Sequence, residues 1–139
     1  MTAVVLHCDG AARGNPGPAG AGAFITTPQG EVLAEIAQGL GVTTNNVAEY
    51  TAAILGLERC RDLGATDVLL RSDSLLLVQQ LLGRFRVKTS HLKPLNARVR
   101  QLAAGFARVR YEHVPRERNV EADRLANQGV DDWLAYGGG

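Results

Sequence analysis

Residues 1–20 read MTAVVLHCDGAARGNPGPAG, and they place a strand, an acid and a turn in immediate succession. The run at residues 3–8 is mostly apolar and β-branched, which predicts a central strand. Asp9 follows directly, so a carboxylate stands at the end of a buried element. An ionised carboxylate there costs free energy unless it is paired, hydrogen-bonded or bound to a metal. The glycines and prolines of residues 10–20 predict a tight turn with free backbone N–H groups beside Asp9.

Length and composition indicate one globular domain, which we assign to residues 1–136. The 139 residues are enough to bury roughly two thirds of the unfolded surface. Cys8 and Cys60 lie in apolar segments and show neither a disulfide framework nor zinc-ligand spacing, which predicts a reduced, cytoplasmic protein. No apolar run approaches about 18 residues, so we expect no membrane span and no signal peptide. We expect a monomer, with residues 137–139 forming a flexible tail or the start of a truncated linker to a C-terminal domain.

The distribution of charge is more informative than the formal net charge of +1. Residues 74–110 contain no acid, which predicts a basic surface suited to a polyanion. An ordinary solvated basic face is the alternative. The basic residues of this stretch are Arg84, Arg86, Lys88, His91, Lys93, Arg98, Arg100, Arg108 and Arg110.

The order of predicted elements is β-β-β-α-β-α-α-β-α, which indicates an α/β fold. Three antiparallel strands followed by parallel strands through helical crossovers make a mixed sheet. In such sheets ligands gather at the carboxyl ends of the parallel strands. The predicted elements are strands at residues 3–8, 22–26, 31–40, 67–72 and 108–114, and helices at residues 47–63, 73–82, 94–106 and 119–136.

Four acids fall at this rim of the predicted sheet: Asp9, Glu49, Asp73 and Asp123. Each has a structural explanation when taken alone. Glu49 could complete a capping box with Asn46, Asp73 could cap a helix, and Asp123 could interact with a helix dipole.

Their joint position points to a different explanation. Two carboxylates 4 Å apart repel by about 4 kcal/mol at an effective dielectric of 20, and several such pairs exceed what local hydrogen bonds offset. Divalent cations offset this repulsion. Oxygen ligands without a cysteine or histidine cluster favour Mg²⁺ or Mn²⁺ over zinc.

Four segments together resemble type 1 ribonuclease H, in order and spacing, over essentially the whole chain. They are CDGAARGNPGPAG at residues 8–20, TTNNVAEYTA at 43–52, RSDS at 71–74 and VPRERNVEADRLAN at 114–127. The resemblance implies a five-stranded mixed sheet ordered 3-2-1-4-5 and flanked by helices. The chain is most similar to compact prokaryotic members, including the ribonuclease H domains of actinobacterial bifunctional ribonuclease H/phosphatase proteins.

The resemblance also implies an activity: hydrolysis of the RNA strand of RNA/DNA hybrids, leaving 5′-phosphate and 3′-hydroxyl ends. Asp9 would bridge two Mg²⁺ ions, for which Mn²⁺ could substitute, and Glu49, Asp73 and Asp123 would complete their coordination. One ion would lower the pKa of the attacking water, while the other stabilises the leaving 3′-oxygen.

The same resemblance assigns the substrate contacts. The turn at Gly10, together with Asn15 and Asn46, would recognise the 2′-hydroxyl, the group that separates RNA from DNA. Thr44 and Asn45 match a pocket for a DNA-strand phosphate, with helix capping as the alternative.

In the acid-free stretch, we expect the basic side chains to follow phosphates of the DNA strand. Phe85 could supply a flat surface against a sugar or base. The basic residues concerned are Arg84, Arg86, Lys88 and Lys93.

Two features depart from the family pattern. A histidine in a flexible loop before the last aspartate is missing, because His113 is predicted inside the fifth strand. Arg116 or Arg118 could take its role in proton transfer or product release. The longer basic protrusion between the second and third helices is also absent.

Two other classes of function stay open. The chain could be a ribonuclease H-like module that binds nucleic acid or protein without cutting, although the four acids disfavour this. It could also be a related metal nuclease that cuts or joins DNA, although Asn15 and the TTNN motif disfavour that.

Overall fold

The computed structural model describes residues 2–137. It contains five strands, four α-helices and two short 3₁₀ turns. The strands are β1 (Ala3–Ala12), β2 (Gly17–Thr26), β3 (Val32–Thr43), β4 (Asp67–Ser72) and β5 (Arg108–His113); the helices are α1 (Asn45–Asp62), α2 (Leu75–Leu81), α3 (Lys93–Ala104) and α4 (Val120–Tyr136); the 3₁₀ turns are Ser90–Leu92 and Arg116–Arg118.

The strands form one mixed sheet in the order β3-β2-β1-β4-β5, which confirms the predicted order. β1 pairs antiparallel with β2, and β2 antiparallel with β3. β4 lies parallel to β1 on the other side, and β5 lies parallel to β4. The carboxyl ends of β1, β4 and β5 therefore share one rim of the sheet.

The first hairpin is longer than predicted. β1 continues to Ala12 and β2 begins at Gly17, so only residues 13–16 form the turn. The ladder runs on to the Ala12–Ala19 pair, and the Arg13 N–H donates to the Pro18 carbonyl at 2.8 Å. The expectation of irregular structure throughout residues 10–20 was wrong, because most of these small residues lie inside strands. β3 also extends three residues beyond its predicted end.

Two in-strand glycines allow α4 to pack closely on the sheet. A Cβ added at Gly22 would fall on the Ala122 carbonyl oxygen and the Ala126 nitrogen of α4. One added at Gly20 would fall on the Ala126 carbonyl oxygen. These glycines serve close helix–sheet contact, which is a use of glycine distinct from turn formation.

α1 begins two residues earlier than predicted. Thr44 is its N-cap, and the Thr44 hydroxyl accepts a hydrogen bond from the Val47 N–H at 3.3 Å. The capping box considered for Asn46 and Glu49 is therefore wrong. Glu49 is left free for another role.

The second helix is bounded as its sequence indicates. Ser74 caps α2 by accepting from the Leu77 N–H at 3.2 Å. Gly83 follows with a φ of 77°, a left-handed conformation that ends the helix at low cost. The residues between α2 and α3 leave the helical path, and Ser90–Leu92 forms a 3₁₀ turn that was not predicted.

The hydrophobic core lies between the sheet and α1, with α3 packed against α1. Leu6, Ile25, Leu57, Leu70 and Val99 are fully or almost fully buried there. α4 covers the opposite face over β1, β2 and β3. Within residues 2–137, no helix has the length and apolar character needed to cross a bilayer. The predicted tail falls partly outside the described residues, since these stop at Gly137.

We predict that Gly22→Ala destabilises the protein, because the added methyl meets backbone atoms of α4 that cannot rotate away. The expected loss in free energy of unfolding is about 1–3 kcal/mol, measured by urea denaturation. Gly105→Ala is the matched control, because its Cβ would have only an ordinary contact, 3.4 Å from the Leu102 carbonyl oxygen. Equal stability of the two variants would contradict the packing argument.

Candidate active site

Two carboxylates lie where β1 and β4 separate. The parallel pairing of these strands ends at His7 and Arg71. Asp9 comes two residues later, still paired with Gly22 on β2, and Asp73 directly follows β4. The two acids therefore lie near each other at the carboxyl ends of adjacent parallel strands.

Gly10 brings a third carboxylate to the same place. A Cβ at Gly10 would fall on the Glu49 nitrogen and the Ala48 carbonyl carbon. Its absence lets the first turns of α1 press against β1. Asp9 and Glu49 are consequently buried, with 4% and 5% of their surfaces exposed.

The three carboxylates form a compact set of oxygen ligands. One oxygen from each of Asp9, Glu49 and Asp73 lies within 4.8 Å of the others. Among the described residues, Glu49 Oε2 is buried and has no hydrogen-bond partner. A buried carboxylate oxygen without a donor is costly, and a cation would satisfy it. An all-oxygen set suits a hard divalent cation such as Mg²⁺ or Mn²⁺.

Asp123 approaches from α4 and lines the same cleft, whose volume is about 470 Å³. Its carboxylate does not belong to the compact set of three, but it lies close enough to Asp9 to add to the rise in the pKa of Asp9. Its backbone N–H donates to the Asn119 carbonyl at 3.1 Å. Asn127 Nδ2 donates to the Asp123 carbonyl at 3.0 Å and lies 3.4 Å from its carboxylate. All four predicted acids therefore border one cleft, three clustered and one held by its own helix.

Crowding and burial change the protonation of the acids. Burial raises the pKa of Asp9 to about 8, and the charge of Asp73 adds to the rise. Burial also raises the pKa of Glu49 well above its ordinary value, with the charge of Asp9 as the next cause. In the absence of a cation Asp9 therefore retains its proton near neutral pH, and burial also favours the protonated form of Glu49. A divalent cation would compete with those protons for the same oxygens.

Sequence reasoning missed two residues of the cleft, Arg13 and Asn127. Arg13 pairs with Asp131 at 2.7 Å and lies 3.4 Å from Asn127 Oδ1, so it ties the first turn to α4. Asn127 follows Asp123 by four residues, which places both on one face of a helix. That spacing was the signal from which the sequence could have placed Asn127 in the cleft. Arg13 had none, because its partner is distant in sequence.

A buried asparagine fixes the start of α4. Asn119 is 1% exposed, and its Nδ2 donates to the Cys8 carbonyl at 3.0 Å. Its Oδ1 lies 3.3 Å from Nδ1 of His7. The first turn of α4, which carries Asp123, is thereby attached to β1 beside Asp9.

Most of the residues expected to contact substrate line one of two depressions, whereas Asn15 and Thr44 line neither. Asn15 Oδ1 accepts from the Asn45 N–H at 3.0 Å, which joins the first turn to α1. Gly10 and Asn45 line the carboxylate cleft. A second depression of about 480 Å³ lies beside the basic segment that follows α2. Its lining includes Asn46, Arg84, Phe85, Arg86 and Lys88.

The structure separates the two arginines proposed in place of the loop histidine. Arg116 lines the carboxylate cleft. Arg118 borders a smaller depression of about 160 Å³ beside His7. His113 lies in β5, as predicted, but the strand ends at this residue and not at Val114; its Nε2 lies 3.3 Å from the Asp73 carbonyl oxygen.

Comparison with known proteins agrees with this geometry. Residues 7–129 match a family model described as reverse transcriptase-like. The bifunctional protein Rv2228c of Mycobacterium tuberculosis is 50% identical over 129 residues, which are 92% of this chain and 35% of that protein. Ribonuclease HI of Halobacterium salinarum is 44% identical over 129 residues, with 93% of this chain and 65% of the relative covered. The chain thus spans about a third of the length of Rv2228c and just under two thirds of the length of the Halobacterium salinarum relative.

The fold of this chain matches solved structures of ribonuclease H proteins. The N-terminal RNase H domain of Rv2228c has a TM-score of 0.90 at 49% identity, covering 93% of this chain and 99% of that one. LC11-RNase H1, isolated from compost and solved with an RNA/DNA hybrid, has a TM-score of 0.90 at 40% identity, covering 94% of this chain and 99% of its own. The chain belongs to the ribonuclease H family.

The raised pKa of Asp9 predicts an unusual pH dependence for the metal-free protein. Between pH 4 and 8 the folded state holds a proton that the unfolded state has released, so stability falls as pH rises. One such proton gives a slope of at most about 1.4 kcal/mol per pH unit. We expect urea denaturation in EDTA to show this fall, and Asp9→Asn or added Mg²⁺ to reduce it.

The matched control is Asp62→Asn, which removes an exposed carboxylate at the other end of α1. It should leave the pH dependence as in the unmodified protein. A metal-free protein whose stability does not fall between pH 5 and 8 would contradict the prediction.

Proposed function

We propose that this chain hydrolyses the RNA strand of RNA/DNA hybrids and that it uses divalent cations to do so. The observation that carries the proposal is the cluster of Asp9, Glu49 and Asp73, of which the first two are buried, with an unpartnered oxygen on Glu49. Membership of the ribonuclease H family and the hybrid bound by LC11-RNase H1 support the choice of substrate. The predicted 5′-phosphate and 3′-hydroxyl ends belong to the same proposal.

Asp9, Glu49, Asp73 and Asp123 would hold two Mg²⁺ ions, or Mn²⁺ in their place. Such ions supply an activated water and a stabilised leaving oxygen in phosphodiester hydrolysis. The chain's own part is to hold the four acids close together at one cleft. Gly10 lets α1 pack closely against β1, and the Asn119 side chain attaches the start of α4 to β1.

Recognition of the RNA strand would fall to the first turn and the start of α1. Asn15 and Asn46 are exposed, and Asn15 is held against α1 through the Asn45 N–H. Amide side chains both donate and accept, which matches the 2′-hydroxyl. Gly10 brings the backbone close to the cleft. We propose that these residues together distinguish RNA from DNA.

The DNA strand would lie along the second depression. The Thr44 hydroxyl accepts from the Val47 N–H, so its proton stays available to a phosphate oxygen beside Asn45. Capping and phosphate binding are thus compatible at Thr44. Further phosphates would be contacted by three exposed side chains of the segment after α2, Arg84, Arg86 and Lys88, and by the exposed Lys93 at the start of α3.

The setting of the protein is also proposed. We propose a cytoplasmic monomer; the two buried, unbridged cysteines, Cys8 and Cys60, support the reducing compartment. The greater length of the Mycobacterium tuberculosis relative is consistent with a further C-terminal domain.

We predict cleavage of labelled RNA/DNA hybrid in Mg²⁺ or Mn²⁺, no cleavage in EDTA, and none of duplex DNA or duplex RNA. Asp73→Asn should lower the rate by more than about a hundredfold, because outer partners of metal ligands alone cost about 10–100-fold. Asp132→Asn, an exposed acid on α4, is the control and should retain full activity. Gel analysis of the products measures both.

The other two classes of function predict different results in that assay. Hybrid binding without cleavage in either metal would favour a binding module. Cleavage of duplex DNA would favour a DNA nuclease.

We predict unequal effects for the two arginines of the Arg116–Arg118 turn. Arg116→Ala should lower kcat by about tenfold or more, because this cation lines the cleft where phosphate charge develops. Arg118→Ala should leave kcat within about twofold, since Arg118 borders a different depression. Steady-state kinetics on the hybrid measure both, and a larger effect at Arg118 would reverse the assignment.

A further inference from the structure

A buried hydrogen-bond network joins three helices behind the second depression. The Tyr50 hydroxyl donates to Gln80 Oε1 at 2.6 Å and accepts from Asn96 Nδ2 at 3.1 Å. Arg100 Nε donates to Asn96 Oδ1 at 2.8 Å. Tyr50, Gln80 and Asn96 are at most 8% exposed. α1, α2 and α3 therefore meet at one satisfied polar cluster.

The network continues into the basic segment, residues 83–88. Gln80 Nε2 lies 3.4 Å from the Arg86 carbonyl oxygen and donates to it. Arg100 Nη2 donates to the Gln80 carbonyl at 3.0 Å. Gln80 thus connects the middle of the basic segment to the interior, and it also lines the second depression.

The network contacts the backbone of the basic segment and not its basic side chains. Arg84, Arg86 and Lys88 are exposed, and within residues 2–137 the structure shows no ion pair to any of them. Their placement therefore depends on the backbone that carries them. That backbone is attached through Gln80 to Tyr50, the residue after Glu49.

Polar groups in a core are costly unless every one is paired, and apolar residues of similar size would fill this space without that requirement. A fully paired cluster instead fixes one relative arrangement of its elements. Here the elements are the helix carrying Glu49 and the segment carrying the exposed cations.

We propose that Gln80 and Tyr50 are positioning residues that hold the basic segment against α1 and thereby set the affinity for the DNA strand. The inference rests on the proposed function, because it assumes a hybrid bound across both depressions. Loss of either residue should weaken binding of the hybrid while the carboxylate cleft still turns over bound substrate.

The test compares Gln80→Leu and Tyr50→Phe with Ile25→Val, which removes a buried methylene on β2 away from the network. We expect KM for the hybrid to rise about fivefold to tenfold in the first two, with kcat within twofold. The slope of log affinity against log salt should become shallower by about one unit as a phosphate contact is lost. Ile25→Val should change neither KM nor the salt slope, although we expect it to lower Tm by an amount similar to the other two substitutions.

A double-mutant cycle separates positioning from general destabilisation. If Gln80 acts by placing the cations, Gln80→Leu should add little to KM once Arg84 and Arg86 are both alanine. Full additivity, or a rise in KM no larger than that of Ile25→Val, would overturn the proposal.

Failure of the proposed function would be recognised separately. If the unmodified protein does not cut the hybrid, hydrogen exchange still tests whether Gln80 positions the basic segment. The Arg84 and Phe85 amides, which donate to the Gln79 carbonyl, should exchange faster in Gln80→Leu than in Ile25→Val. Equal exchange in the two variants would overturn the inference whatever the activity.

Discussion

Repulsion among buried carboxylates at one rim of the sheet is the constraint on which the rest of the structure depends. Asp9 and Glu49 are almost fully buried, and Asp73 lies close enough to raise the pKa of Asp9 further. A protein that only needed stability would not place three acids there, since each could be replaced by a neutral residue of similar size. The arrangement is explained if cations complete it, and the unpartnered oxygen of Glu49 is the observation that most favours this explanation.

Close packing of backbone makes this crowding possible. Gly10 lets α1 approach β1, and Gly20 and Gly22 let α4 approach β2, so acids carried by separate helices reach the same cleft. Asn119 then fixes α4 to the strand that carries Asp9. The site is thus assembled by small residues and one buried amide.

The substrate surface is organised in a similar way. The cations that would follow the DNA strand are exposed, whereas the network that places them is buried. Tyr50 and Gln80 connect that surface to the helix of Glu49, so binding and catalysis share one framework.

The sequence by itself determined the order of elements, the strand order of the sheet through its likeness to known ribonucleases H, and the four acids of the cleft. These follow from local patterns and from motifs with fixed spacing. The tertiary structure decided what depends on contacts between distant segments: the long first hairpin, Thr44 as the cap of α1, the separation of Arg116 from Arg118, and the link from Arg13 to α4. Gly20 and Gly22 illustrate the reason. In the sequence these glycines indicate a turn, and only the tertiary structure shows that they lie in β2 and make room for α4.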